Sequence, residues 1–139
     1  MEEGLILLNP DEKNPAAKQY SPLTLAYVGD AVYELYIRAR LAGKGNAPAG
    51  KLHMAAKQYV TAKAQSEIAE ALIPLLTEEE KDLLRRGRNA KPKSLSKNTD
   101  PAEHAKATGL EALFGCLYLK GETERLNELL EKAFELGRS

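Results

Sequence analysis

Two dipeptides, Ser21-Pro22 and Asp100-Pro101, constrain this chain more than any other feature. Each places a side chain that accepts backbone N–H bonds ahead of a residue whose fixed φ suits the first helical turn. Behind Ser21, apolar residues recur at helical spacing through Leu25, Val28, Val32, Leu35 or Tyr36, and Ala39, and the pattern stops near Gly43. Behind Asp100, Leu110, Leu113, Phe114, Leu117 and Tyr118 continue in the same way until Gly121. Two long apolar helices are therefore predicted, and the rest of the chain must pack around them.

The remaining segments also read as helical. Leu52, Ala55, Ala56 and Tyr59 predict a short helix after the turn-rich Lys44-to-Gly50 connection, with Val60-Thr61 as punctuation. Ala64, Ile68, Ala71 and Leu72 predict another, ended or kinked by Pro74. Thr77 with Glu80 three residues on matches a capping box, opening a helix through Leu83 and Leu84 that dissolves into a basic loop. Leu126, Leu129, Leu130, Ala133 and Phe134 predict a last amphipathic helix, ending at Gly137. No alternating strand pattern and no internal repeat is found. An all-α single domain of about six or seven helices is expected over residues 21–139, preceded by a loosely ordered N-terminal arm, 1–20.

Composition narrows the class. Hydrophobic residues make up 43% and charged ones 29% of the 139 positions, which suits a folded domain and not a disordered chain. Cys116 stands alone inside an apolar run, so it reads as a buried structural thiol in a reducing compartment. The Met-Glu-Glu start is unlike a secretory signal, and no apolar stretch is long enough to span a bilayer. A cytoplasmic protein with no membrane partner is expected.

The charges balance, with 20 basic and 20 acidic residues, but they are not evenly spread. From Leu83 to Thr99 there is no carboxylate, while Arg85, Arg86, Arg88, Lys91, Lys93 and Lys97 all fall there. The bland reading of such a run is a solvated linker. Three arginines within four residues tilt the reading toward contact with phosphates.

The two long helices each carry an acid where the pattern calls for an apolar residue. Asp30 follows Gly29, and Glu111 lies between Gly109 and Gly115. Glycine and aspartate are both poor choices for a helix interior, and Gly29 removes a side chain where something approaches closely. Asp30 and Glu34, four residues apart, share a helical face. Pattern alone favours a partly exposed or arginine-paired acid at each position. If the two acids converge, they form a hard-oxygen site suited to Mg²⁺ or Mn²⁺. His53 and His104, far apart and without a cysteine cluster, do not match a zinc site.

These residues resemble a known family. Leu25 to Leu35, with its Gly29-Asp30 pair, is similar to the first acidic motif of the ribonuclease III catalytic domain, and Glu111-Ala112-Leu113-Phe114-Gly115 to its last. Pro48-Ala49-Gly50-Lys51-Leu52 and Val60-Thr61 fall where that domain has a proline-glycine turn and the helix after it. Gly-Asp-Ala-Val alone is a weak signal, whereas two acidic motifs in order around a fitting middle are a strong one. The resemblance covers nearly the whole chain from about Ser21. Tyr-Val-Gly-Asp-Ala-Val-Tyr-Glu, Arg-Arg-Gly-Arg-Asn-Ala-Lys and a chain ending at Ser139 resemble the mini branch, expected to lack a double-stranded-RNA-binding domain.

The resemblance implies a metal-dependent endoribonuclease. It would be a homodimer that cuts double-stranded RNA, leaving 5′-phosphate ends, in maturation of the large-subunit (23S) ribosomal RNA precursor. Asp30 and Glu111 inherit the catalytic, metal-binding role with Mg²⁺ or Mn²⁺, and Arg85, Arg86, Arg88 and Lys91 are expected to grip the RNA. Two acids of the wider family pattern are replaced here, by Ala26 and Thr108. So few carboxylates imply that the RNA phosphate supplies some metal ligands itself. Whether Glu34 supplements them stays open. Two alternatives stand beside this reading: a non-catalytic helical RNA-binding module, and a helical protein–protein interaction module.

Overall fold

The computed structural model describes residues 13–90 and 98–137, and among these there are six α-helices and no strand. They are α1 (Pro22–Ala42), α2 (Ala49–Val60), α3 (Ala62–Leu72), α4 (Glu78–Asn89), α5 (Pro101–Leu119) and α6 (Thr123–Gly137). The all-α expectation holds. The starts follow from local chemistry. Ser21 Oγ accepts from the Leu23 N–H at 3.2 Å, and Asp100 accepts from Ala102 at 2.9 Å. Thr77 and Glu80 complete the capping box reciprocally, at 3.1 and 2.9 Å. Each such cap contributes about 1 kcal/mol by satisfying N–H groups that the helix leaves unpaired. Thr61, read as punctuation, caps α3 through a bond from Ala64 N at 3.1 Å.

Helix α5 runs through the middle of the fold, packed by α1, α3 and α4. Its residues from Ala107 to Leu117 are buried except for half-buried Glu111, so it is apolar around most of its circumference. Two glycine pairs let it lie this deep. At the first, Gly29 of α1 meets Gly115 of α5, and a Cβ on either would overlap backbone of the other helix. At the second, Gly87 of α4 meets Gly109 of α5, where a Cβ on Gly87 would lie 2.7 Å from Gly109 Cα. Backbones touch at both crossings.

Aromatic residues close the other side of the core. Tyr33 stacks on Phe114 with ring centroids 5.6 Å apart, and its hydroxyl donates to the Tyr59 carbonyl at 2.8 Å. Tyr59 in turn stacks on Phe134 at 4.8 Å, tying α1, α2, α5 and α6 together. Tyr36, not Leu35, is the residue that enters the core. Cys116 is buried, as expected.

Two sequence readings need correction. The basic stretch from Arg85 to Asn89 is not a loop but the second half of α4. Gly87 lies inside this helix, where its lack of a side chain lets it fit against Gly109. The arm is also less loose than its sequence suggests in its described part. Pro15–Gln19 is a short 3-10 helix whose Ala17 is fully buried, and Asn14 N–H donates to the Leu119 carbonyl at 2.9 Å. Residues 1–12 and the basic positions Lys91, Lys93 and Lys97 lie outside the described residues. No described helix is long and apolar enough to cross a membrane.

Candidate active site

The Gly29–Gly115 crossing decides where the two suspect acids go. Asp30 is the next residue along α1, and Glu111 lies one turn before Gly115 on the same face of α5. Because the backbones touch, the two side chains emerge from one crossing, close enough for Asp30 to disfavour ionisation of Glu111. Asp30 is exposed, while Glu111 is half-buried. The expectation that something approaches Gly29 closely is met by the Glu111 backbone itself.

Burial chiefly, and the neighbouring Asp30 charge next, push the Glu111 carboxyl up to about 8. The neighbouring Gln65 amide pulls it the other way, and the Glu34 charge adds to the repulsion. Two carboxylates this close resist ionising together, and a divalent cation between them would remove the conflict. Glu34 accepts from Arg38 at 3.1 Å, so its charge is partly matched already.

The positions where the family resemblance expected two more acids are closed. Ala26 is buried, and so is Thr108, whose hydroxyl donates to the His104 carbonyl at 3.0 Å. Among the described residues no group of three or more His, Cys, Asp or Glu forms a metal site. The donor set nevertheless suits a hard cation. Two carboxylates converge, and the buried amide of Gln65 beside them has an Oε1 with no hydrogen-bond partner. Gln65 is not among the residues that the sequence singles out. The signal that could have found it is its register: it falls three, four and seven residues before Ile68, Ala69 and Leu72, all on the buried face of α3.

The arginines of α4 divide into two kinds. Arg85 and Arg88 are exposed and three residues apart on one face, with Arg85 pairing to Asp82. Arg86 instead donates to the Lys18 and Tyr20 carbonyls at 2.6 and 3.1 Å, strapping the residues before α1 onto α4.

Comparison with known proteins shows the family. Residues 23–122 match the ribonuclease III domain. Relatives named Mini-ribonuclease 3 include one from Symbiobacterium thermophilum, 54% identical, with the match covering 81% of this chain and 86% of the relative. Another from Staphylococcus aureus is 45% identical over 83% of this chain and 87% of its own. An X-ray crystal structure of a Fusobacterium nucleatum protein superposes with a TM-score of 0.76 at 32% identity, covering 89% of this chain and 98% of that one. The chain belongs to the ribonuclease III family of endoribonucleases, in its mini-ribonuclease 3 branch.

Proposed function

We propose that this endoribonuclease hydrolyses double-stranded RNA with a divalent cation, Mg²⁺ or Mn²⁺, held by Asp30 and Glu111. The observation that carries the proposal is the meeting of those two carboxylates at a glycine-on-glycine helix crossing. A cation bound there supplies charge neutralisation on the scissile phosphate and a more acidic bound water. The chain's own residues do the rest. Asp30, on the exposed side, would hold the cation where the RNA phosphate can reach it. Glu111, recessed against α1, holds the inner side of the site, and the glycines fix the spacing between the two. The products are a 5′-phosphate and a 3′-hydroxyl.

RNA contact belongs to Arg85 and Arg88, together with Lys91, which lies outside the described residues. Arg86 acts as the strap that holds the arm. Recognition is by backbone charge and shape, because the deep groove of A-form RNA is closed to side chains. The active species is a homodimer. Leu23, Tyr27 and Leu35 lie at four- and eight-residue steps along α1 and are 38, 82 and 49% exposed. Tyr27 and Leu35, with Val28, Val32 and Tyr118, also line a cleft of about 480 Å³ that reaches Asp30. Such an apolar surface calls for cover. A second copy both covers it and sets another acid pair beside the opposite strand. The substrate is the large-subunit (23S) ribosomal RNA precursor and the compartment the cytoplasm, as the motif resemblance implies.

Incubating duplex RNA with wild type and with Asp30→Asn, with and without Mg²⁺, tests the reading. Cleavage should need Mg²⁺ and fall by about 10³-fold or more in the variant, as loss of several kcal/mol of transition-state stabilisation demands. The melting temperature and the two-chain mass in sedimentation should persist. Mg²⁺-dependent cutting retained by Asp30→Asn would refute the assignment.

A further inference from the structure

Gln65 occupies a place that the packing of α3 gives to apolar residues. It is 3% exposed and shares the buried face with Ile68, Ala69 and Leu72, against α5. Its Nε2 donates to the Val60 carbonyl at 3.1 Å, bracing the end of α2 across the cap of α3. The same amide lies near enough to Glu111 to favour its ionised form. Its Oε1 is sealed from solvent with no donor. A buried acceptor without a partner is unfavourable, and an apolar residue of this length would avoid the cost. The orphan stands beside the one carboxylate pair that offers a hard cation too few oxygens, with Ala26 and Thr108 unable to add a carboxylate.

We propose that Gln65 is a positioning residue of the cation site. Its amide, braced on Val60, steadies the neighbouring Glu111 carboxylate, and its Oε1 is the neutral oxygen offered to the bound ion or to that ion's water. Amide carbonyls are ordinary ligands for hard divalent ions, and partners that orient a ligating carboxylate govern affinity nearly as strongly as the ligand does. Val60 and Gln65 thereby link the α2–α3 corner to the acids of α1 and α5. The inference rests on Asp30 and Glu111 holding the cation.

Titration of the full chain with Mn²⁺ alone, followed by electron paramagnetic resonance of the free ion, tests it. Gln65→Met keeps the length of the side chain and removes the amide, so its melting temperature should match or exceed that of wild type. Its Mn²⁺ affinity should fall by about 10- to 100-fold. Cleavage at saturating Mn²⁺ should recover, with KM for RNA unchanged, which a merely structural defect would not allow. If Gln65→Met fails to fold, Gln65→Asn, which withdraws the amide by one methylene, should show the same loss. A wild-type Mn²⁺ dissociation constant in either folded variant overturns the proposal. Asp30→Asn separates the two levels. If it loses Mn²⁺ while Gln65→Met does not, only the role of Gln65 falls. If wild type and Asp30→Asn take up Mn²⁺ alike, the carboxylate site falls and Gln65 with it.

Discussion

The two glycine crossings on α5 use one device for opposite purposes. At Gly29–Gly115 the contact brings Asp30 and Glu111 together, and the result is a pair of acids with one half-buried. At Gly87–Gly109 the same closeness of backbones sets α4 on α5, while Arg85 and Arg88 stay at the surface. A nuclease of this kind needs a concentrated negative site for a cation and a spread positive face for the RNA backbone. In the proposed function these are the acid pair and the exposed arginines of α4, and glycine sets α1 and α4 at close distance on the one central helix.

The crossings should respond differently to one added methyl group. In Gly29→Ala the new Cβ would overlap the Glu111 carbonyl, and backbone has no rotamer through which to give way. The helices must part, so the loss should reach the top of the roughly 1–3 kcal/mol overpacking range or exceed it. Activity should disappear with it, because the acids separate. Gly87→Ala meets Gly109 Cα at 2.7 Å and the Ala112 methyl at 3.0 Å, a milder clash. It should cost less in a urea melt and leave measurable cleavage. Equal losses in the two variants would break the comparison.

Much of this is legible in the sequence, because caps are local. Ser21, Thr77 with Glu80, and Asp100 each start a helix through partners two or three residues away. The acids at positions 30 and 111 are visible because they interrupt apolar helices beside glycines. Long-range matters are not. The end of α4 escapes a local reading because Gly87 acts through Gly109, and Arg86 through carbonyls of Lys18 and Tyr20 on a distant stretch of chain. Gln65 looks like an ordinary polar residue near a helix start. Only its register with Ile68, Ala69 and Leu72 marks it as buried.

The basic helix has a second anchor that sharpens the contrast. Glu80, at its start, is 6% exposed and accepts from Arg125 of α6 through both carboxylate oxygens at 2.8 Å. The Arg125 hydrogen bonds chiefly, with the Thr77 cap behind them, hold the Glu80 carboxyl below the usual glutamate range. A carboxylate depressed in the folded state stabilises the fold above its unfolded pKa, about 4.3, and loses that contribution as pH falls through the folded value. Arg125→Ala should therefore cost about 2 kcal/mol at neutral pH, and should flatten the fall in stability below about pH 4. An acid limb as steep as that of wild type would show that the pair does not hold α4.

The smallest expected effect separates the arginines within α4. Arg85 and Arg88 are exposed, and their charges can replace counterions on a duplex. Replacing both with alanine should weaken RNA binding and reduce the slope of log affinity against log salt by about one unit for each phosphate no longer neutralised. The melting temperature should barely move, since the Arg85–Asp82 pair is a surface one. Arg86→Ala should do the reverse. Its guanidinium is committed to two carbonyls just before α1, so its removal should loosen the arm and lower stability while the salt slope stays near that of wild type. If Arg86→Ala flattens the slope as much as the double variant does, the whole basic face reads phosphate. Among the described residues the arm is then held by Ala17 burial, the Asn14–Leu119 bond and the Lys18–Glu79 ion pair.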